Sequence, residues 1–218
     1  MIDQDLIDTS TESAKIAIAN CHTTPSDGLY LINSVFGDNA IVKLKEYINN
    51  ANNQKFRLAQ SNATNQDKID TSESRVVITW DPDTIIEELH EVCNNLTDTI
   101  SKKFFNAGLN YLGIQIWKDT NKFWMGWHRD NPDINVSMQV YMFNTPSKYG
   151  TSFLIDGNEF AVPYQHNTGY IAINNNAGGI ADGLEHKPTK DIPAGITRCS
   201  VYAVWSLSEK IIEEEATC

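Results

Sequence analysis

Hydrophobic and polar residues are spaced differently in the two halves of the chain. Up to about residue 109, apolar positions recur at intervals of three and four, which is the spacing of an amphipathic helix. They predict one helix over residues 39–50, capped by Asp38, and a longer helix that begins with Asp81 as N-cap and ends before Gly108. The N-terminal half of the chain is therefore predicted to be rich in helix.

Other segments of this half lack the helical rhythm. Residues 1–27 are polar and contain turn formers, which predicts an arm or an extended edge. The apolar runs at 28–36 and 75–80 predict two strands, and the segment 49–74, rich in Asn, Gln and Ser, predicts a long loop. Residues 1–109 are thus expected to form an arm and a helical support.

After residue 110 the sequence consists of short β-rich runs separated by Gly, Pro, Asn and Asp. The runs are 111–117, 123–128, 135–143, 150–155, 159–163, 169–173 and 199–205. So many short strands, so closely spaced, are typical of an antiparallel sandwich or barrel. The predicted fold class is α+β, mainly β, with N-terminal helices packed on a jelly roll. We expect one domain over residues 1–218, with the jelly roll at 110–207 and a tail at 208–218.

Charge and composition narrow the range of partners. The chain has 218 residues, with 17 Lys and Arg against 28 Asp and Glu, and a formal net charge of −11. Phosphate binding requires clustered basic residues, so this balance argues against nucleic acid as a partner. We find no secretory signal, no apolar run of the ~20 residues that a membrane span requires, and no CxxC pair among the four cysteines. A cytoplasmic protein is expected.

A histidine and a carboxylate stand at the head of an apolar run, in "WHRDNPDINVSMQVYMFN". Residues two apart on a strand share a face, so His128 and Asp130 can point at one place, and His186 can reach it from another strand. Two imidazoles and one carboxylate leave about three coordination positions open, as in non-haem Fe(II) enzymes. A structural zinc site would use four ligands. These three residues are therefore the predicted metal ligands.

An arginine lies near the end of the predicted roll. Arg198 begins "RCSVYAVW", a predicted strand on which Arg198, Ser200, Tyr202 and Val204 share one face. An arginine inside an apolar barrel needs an anionic partner to offset its desolvation. The distal carboxylate of a dicarboxylic acid would supply that partner, with the Ser200 hydroxyl adding a hydrogen bond.

The order HxD, distal His and Arg-x-Ser resembles that of the Fe(II)- and 2-oxoglutarate-dependent dioxygenases. The stretches "HRDNP", "VYMFN", "GTSF" and "RCSVYAVW" most resemble the prolyl 4-hydroxylase-like branch, over residues 110–207. The resemblance implies a double-stranded β-helix in which His128, Asp130 and His186 form the catalytic Fe(II) site. It also implies that Arg198, helped by Ser200, binds the C5 carboxylate of 2-oxoglutarate.

The same resemblance implies an activity. With Fe(II), 2-oxoglutarate and O2, the protein would hydroxylate its substrate and release succinate and CO2. Three positions depart from the branch: Gln115 and Trp117 stand where prolyl hydroxylases offer a tyrosine, and Met142 stands in place of a second one. The expected substrate is therefore written broadly, as a peptide, including a prolyl residue, or a small molecule.

Two alternatives stay open on sequence. One is a non-catalytic jelly-roll module that binds carbohydrate or another small ligand. The other is a nucleic-acid demethylase of the same superfamily, which typically carries a second arginine beyond the cosubstrate arginine and a basic surface. The stretch "RCSVYAVWSLSEK" has no second arginine and the chain is acidic, so the demethylase is disfavoured.

Overall fold

The computed structural model describes residues 2–24, 28–50, 56–58, 75–105, 108–120, 123–174 and 183–208. Its helices are α1 (Gln4–Ala19), α2 (Asp38–Asn50), α3 (Ile85–Asn95) and α4 (Thr97–Phe104). Its strands are β1 (His22–Thr23), β2 (Leu29–Asn33), β3 (Arg57–Leu58), β4 (Arg75–Ile78), β5 (Leu109–Thr120), β6 (Val136–Met142), β7 (Thr151–Ile155), β8 (Asn158–Val162), β9 (Thr168–Ile173), β10 (His186–Pro188) and β11 (Thr197–Leu207).

Two antiparallel sheets form the roll. The larger sheet has the order β1-β2-β9-β6-β11-β5-β4-β3, and the smaller sheet has the order β10-β7-β8. The long strand β11 lies between β5 and β6 and is paired with both along most of its length. The predicted fold class, a mainly β jelly roll with N-terminal helices, is confirmed.

The two faces of β11 have different environments. Cys199, Val201, Ala203 and Trp205 belong to a hydrophobic core that also contains the apolar faces of α1, α2 and α3. Successive side chains of a strand point to opposite faces, so Arg198, Ser200 and Tyr202 point away from the helices. The helices therefore cover the outer face of the large sheet, and its inner face is left for a site between the sheets.

The N-terminal segment differs from the prediction. Residues 1–27 were expected to form an arm or an extended edge, but α1 occupies most of this segment. Asp3 caps the helix, because its side chain accepts a hydrogen bond from the backbone N–H of Leu6 at 3.1 Å. The buried stripe contains small and hydroxyl residues beside its apolar ones, such as Ser10 and Ala14, so the helical period is weak in the sequence.

The second predicted helix begins and ends differently. Thr84, not Asp81, is the N-cap of α3, and its hydroxyl accepts from the N–H of Ile86 at 3.2 Å. The helix stops at Asn95, and α4 continues after Leu96. Asp81 accepts instead from the hydroxyl of Tyr47 on α2, so its carboxylate joins two helical segments.

Two further expectations can be compared with the structure. The run 123–128 was predicted to be a strand, but only His128 forms an isolated β-bridge there. The predicted loop 49–74 lies largely outside the described residues. None of the described helices is long and apolar enough to cross a membrane.

Candidate active site

His128, Asp130 and His186 lie together, as the sequence predicts. One potential ligand atom from each of them lies within 4.8 Å of the other two. His186 Nε2 is 3.7 Å from Asp130 Oδ1, and the two imidazole rings are 4.3 Å apart between centroids. No fourth His, Cys, Asp or Glu joins this group among the residues that the structure describes. The group is therefore a three-ligand set.

Backbone pairing brings the two histidines together. The N–H of His128 donates to the carbonyl of His186 at 3.0 Å, and the N–H of His186 donates to the carbonyl of His128 at 2.8 Å. His186 begins β10, which pairs with β7 opposite Phe153. The convergence of His128 and Asp130 was predicted from alternation along a strand. In the structure, His128 instead forms one isolated β-bridge with His186, and Asp130 lies in the irregular segment that follows.

Both histidines are fixed in one orientation by backbone carbonyls. His128 Nδ1 lies 2.9 Å from the carbonyl oxygen of Gly126, and His186 Nδ1 lies 3.1 Å from that of Leu184. A carbonyl only accepts hydrogen bonds, so each Nδ1 carries a proton, and the tautomer that this selects for a neutral ring has its lone pair on Nε2. Metal-binding histidines are oriented in the same way.

The carboxylate of Asp130 is oriented too. Asn174, which follows β9, donates from Nδ2 to Asp130 Oδ2 at 3.1 Å and to Ser137 Oγ at 3.1 Å. The other oxygen, Oδ1, is the one that lies near His186 Nε2. One carboxylate oxygen is thus held by the protein, and the other faces the imidazoles, as a ligand that binds through one oxygen requires.

The donor set fits a divalent transition metal. Two imidazole nitrogens and one carboxylate oxygen suit Fe(II), and three ligands on one side of the ion leave positions for other molecules. The orienting contacts from Gly126, Leu184 and Asn174 are those that such a site uses to keep its ligands in place.

Arg198 is buried at the other end of this inner face, with 2% of its side chain exposed. Its Nη1 donates to the carbonyls of Tyr149 and Gly150 at 3.2 and 3.0 Å. Its Nε and Nη2 contact Asp119 Oδ2 at 2.9 and 2.7 Å. The sequence predicts that Arg198 needs an anionic partner, and in the structure the carboxylate of Asp119 is in contact with it.

Asp119 also binds a second arginine. Arg75 Nε donates to Asp119 Oδ1 at 2.6 Å, and Arg75 Nη2 donates to Oδ2 at 3.0 Å. Burial alone would raise the pKa of Asp119, but the charges and hydrogen bonds of Arg75 and Arg198 outweigh it and hold this pKa below its ordinary value. Asp119 is therefore a buried anion between two guanidinium groups.

Polar side chains line the inner face between Arg198 and the histidines. Ser200 Oγ accepts a hydrogen bond from Gln139 Nε2 at 2.8 Å, and the hydroxyl of Tyr170 donates one to Gln139 Oε1. Tyr141 donates to Thr151 Oγ1 at 2.8 Å. A hydroxyl that accepts one hydrogen bond still carries its own O–H donor, so Ser200 and Thr151 can also donate. A buried face of this composition is typical of a binding site for a polar ligand.

The pKa of Tyr170 depends on charges at both ends of the inner face, and the pKa of Tyr202 depends on Asp130. The pKa of Tyr170 is raised, first by burial and then by nearby groups that include Asp130, while the charge of Arg198 lowers it. The pKa of Tyr202 is likewise raised by burial and by Asp130. Both phenols therefore stay neutral at physiological pH. The metal ligands and Arg198 thus belong to one continuous inner surface.

The positions that depart from the prolyl 4-hydroxylase-like pattern also lie near this surface. Trp117 stacks on Tyr202, with ring centroids 4.3 Å apart and planes inclined by 21°, and its indole N–H donates to Gln115 Oε1 at 2.6 Å. Met142 points the other way, into the core under the helices. An aromatic side chain is thus present where the branch offers a tyrosine, with a different hydrogen bond.

Sequence reasoning missed three residues of the site. Asp119 shares a strand face with Gln115 and Trp117, so alternation along β5 could have placed it beside Arg198. Asn174 follows an apolar strand, as many site residues do, but nothing in its spacing points to Asp130. Arg75 begins a short strand and carries no motif.

Fold and site together define a class of structure: a jelly roll that carries a His-Asp-His cluster able to hold a metal ion, and a buried arginine. No protein-family model matches the sequence, and no curated protein matches it either. Among solved structures, the fold is similar to a prolyl-4-hydroxylase from Pseudomonas putida, with a TM-score of 0.59 and 12% identity over 90% of this chain and 98% of that chain.

Two other solved structures extend the comparison. A viral collagen prolyl hydroxylase from Paramecium Bursaria Chlorella virus-1, in complex with 2-oxoglutarate, has a TM-score of 0.56 and 10% identity over 85% of this chain and 99% of its own. HygX from Streptomyces hygroscopicus, with nickel and 2-oxoglutarate bound, has a TM-score of 0.55 and 10% identity over 82% of each chain. These structures share the fold of this chain, so the jelly roll that the resemblance implies is confirmed.

Proposed function

We propose that this protein is an Fe(II)- and 2-oxoglutarate-dependent dioxygenase that hydroxylates a peptide or small-molecule substrate. The observation that carries the proposal is the His128, Asp130 and His186 cluster, whose ligand atoms lie within 4.8 Å of one another. Each of the three side chains is also oriented by a separate protein contact, which an accidental cluster would not need.

Three residues would hold the metal and two would hold the cosubstrate. His128 and His186 would bind Fe(II) through Nε2, and Asp130 through Oδ1. Arg198 would bind the C5 carboxylate of 2-oxoglutarate, helped by Ser200. When bound, Fe(II) with 2-oxoglutarate and O2 supplies the oxidising chemistry that hydroxylates a C–H bond and releases succinate and CO2.

The protein's own contribution is geometry and charge. The carbonyls of Gly126 and Leu184 favour the tautomer with the proton on Nδ1, which leaves the lone pair of a neutral imidazole on Nε2, the nitrogen that would bind the metal. Asn174 keeps one oxygen of Asp130 engaged. Tyr170 and Tyr202, neutral and buried, lie on the same inner face. A ligand with two different polar ends would be held in one direction between the metal ligands and Arg198.

The solved structures of similar fold support the proposed class of substrate. One of these proteins is described as a collagen prolyl hydroxylase, and another was solved with hygromycin B bound. A prolyl peptide and a polar small molecule are therefore both within the range of this fold. We also propose that residues 1–109 and 110–207 form one oxygenase domain, since α1, α2 and α3 share a hydrophobic core with the large sheet.

An anaerobic titration tests the proposal. The purified apoprotein is titrated with Fe(II) and then with 2-oxoglutarate, and the visible charge-transfer band of the iron–keto acid chelate is followed. We expect a saturable band in the wild type and none in His128→Ala. The control is His166→Ala, which removes an exposed histidine and should leave the band unchanged.

Turnover then separates an enzyme from a binding module. Succinate release is measured with prolyl peptides and with polar small molecules as substrates. Release that requires Fe(II), O2 and 2-oxoglutarate and is lost in Asp130→Asn supports the dioxygenase. A protein that binds neither metal nor 2-oxoglutarate would refute it and favour the non-catalytic jelly-roll module.

A further inference from the structure

The end of the inner face at Arg198 contains a second buried arginine, Arg75, and so carries more positive charge than Arg198 alone would supply. Arg75, Asp119 and Arg198 are buried in contact, with side-chain exposures of 9%, 0% and 2%. Two guanidinium groups and one carboxylate give this group a formal charge of +1. Burying a net charge is unfavourable unless something nearby compensates it.

The hydrogen bonds show how the charges are shared. Asp119 Oδ2 accepts from both arginines, whereas Asp119 Oδ1 accepts from Arg75 Nε alone among the bonds that the described residues make. Arg75 therefore forms a two-pronged ion pair with the carboxylate, and Arg198 contacts only one of its oxygens. The negative charge of Asp119 is divided between the two cations.

Aromatic rings stabilise the two guanidinium groups. The guanidinium carbon of Arg75 lies 4.0 Å from the ring centroid of Trp117 and 4.1 Å from that of Phe123. The guanidinium carbon of Arg198 lies 5.5 Å from the Phe123 centroid. Cation–π contacts stabilise a cation without neutralising it. Asp119 is the only carboxylate that pairs with either arginine among the described residues, so no second carboxylate balances the formal charge of +1.

We propose that Arg75 is a positioning residue for the cosubstrate. It acts through Asp119 on Arg198, the residue proposed to bind the C5 carboxylate of 2-oxoglutarate. Arg75 draws the carboxylate of Asp119 toward β4, which keeps Arg198 from being neutralised by its own neighbour. Arg198 then retains the attraction for the carboxylate of 2-oxoglutarate. This inference rests on the proposed function, and it assigns to β4, outside the jelly-roll motifs, a part in cosubstrate affinity.

Single substitutions can lower or raise the formal charge of the group formed by Arg75, Asp119 and Arg198, and combining them restores it. Arg75→Gln lowers the formal charge to zero, so we expect the dissociation constant for 2-oxoglutarate to rise about tenfold or more. Asp119→Asn raises the charge to +2 and should lower that constant. The double variant again has a charge of +1, and its constant should return to within about threefold of wild type. Damage to packing would instead accumulate in the double variant.

The readout is the dissociation constant for 2-oxoglutarate, taken from the charge-transfer band at saturating Fe(II). Fe(II) affinity is measured beside it and should not change, because Arg75 and Asp119 are not metal ligands. The control is Lys118→Gln on the same strand, which removes a half-buried cation from the opposite face of β5 and lowers the charge of the chain equally. Lys118→Gln should leave the dissociation constant unchanged, since the side chain of Lys118 points to the face of β5 opposite that of Asp119.

A second variant covers the case in which Asp119→Asn fails to fold. Arg75→Lys retains the charge and loses the two-pronged geometry, so its dissociation constant should lie between those of wild type and Arg75→Gln. If Arg75→Lys and Arg75→Gln bind 2-oxoglutarate as the wild type does, Arg75 has only a structural role and the inference is wrong. An equal loss in both would also contradict an effect of charge.

Failure of the proposed function is distinguishable from failure of this inference. If the wild type binds metal but gives no band with 2-oxoglutarate, the anion site is probed without iron, by the thermal shift that glutarate or inorganic phosphate produces. A stabilisation that is present in the wild type and lost in Arg75→Gln keeps the inference while the dioxygenase proposal falls. Equal shifts, or no shift in either protein, overturn the inference as well.

Discussion

Asn174 holds one oxygen of Asp130 in place, across 3.1 Å, from the end of a different strand. The same amide nitrogen bonds to Ser137 Oγ, so the side chain is anchored on β6 while it orients a predicted metal ligand. Asn174 is itself buried, with 2% exposure. The contact therefore fixes the direction of the carboxylate and leaves Oδ1 to face the imidazoles.

Removing this contact should weaken metal binding. In Asn174→Ala the carboxylate of Asp130 loses its bond to the Asn174 amide and is less firmly oriented, so we expect Fe(II) affinity to fall about 10- to 100-fold. Competition with a metal chelator of known affinity measures the change. The exposed Asn110→Ala on β5 is the control and should bind metal normally. Equal affinities in the two variants would show that Asn174 does not orient the ligand.

Tyr164 links two strands of the large sheet through its hydroxyl. The hydroxyl donates to the carbonyl of Cys199 at 2.6 Å and accepts from the N–H of Cys199 at 3.2 Å; it also contacts the carbonyl of Met142. Tyr164→Phe should lower the free energy of unfolding by about 1–3 kcal/mol, because buried backbone groups lose a partner. Urea denaturation measures it.

The comparison for this prediction is Tyr47→Phe. The hydroxyl of Tyr47 bonds to Asp81 in a half-buried position, where water can replace it. We therefore expect a smaller loss of stability than in Tyr164→Phe. A larger loss in Tyr47→Phe would mean that burial of the Tyr164 hydroxyl is not what makes it important.

Gly169 allows β9 to approach β6 closely. A Cβ at this position would lie 1.8 Å from the carbonyl oxygen of Gln139, which is backbone and cannot move without breaking the pairing of the two strands. Gly169→Ala should destabilise the protein by about 3 kcal/mol or prevent folding. In Gly37→Ala the nearest atom is 3.4 Å away, so the midpoint of thermal unfolding should hardly change. Similar midpoints would contradict the steric argument.

Asp119 should contribute to acid sensitivity. Its pKa is below the ordinary value of 3.8 because Arg75 and Arg198 outweigh the effect of burial. A carboxyl with a depressed folded-state pKa stabilises the fold fully above its unfolded pKa, and this contribution is lost as the pH falls through the folded-state value. Below pH 3.8, the free energy of unfolding should thus fall less steeply in Asp119→Asn than in the wild type.

Urea unfolding at a series of pH values from about 5 downward measures that slope. The control is Asp156→Asn, a substitution in an exposed turn, which should follow the wild-type curve. Parallel curves for all three proteins would mean that the ion pairs of Asp119 do not contribute to stability in acid.

Much of the architecture could be predicted from local pattern. The strands at 135–143, 150–155 and 199–205 differ from the observed strands by only a few residues, because alternation and turn residues act over short distances. The expectation for 1–27 was wrong because the buried face of α1 includes small and polar residues. The strand predicted at 123–128 was wrong because aromatic residues there contribute side-chain contacts without pairing.

The sequence by itself determined the kinds of groups available: two histidines and an aspartate for a metal, and an inward-facing arginine that needed an anion. Tertiary structure alone decided which groups meet. Arg75 and Asp119 lie opposite each other because β4 pairs with β5 in one register, and His128 meets His186 through one bridge. The physical reason is that strand order and register depend on how the whole sheet buries its two faces, which no short segment encodes.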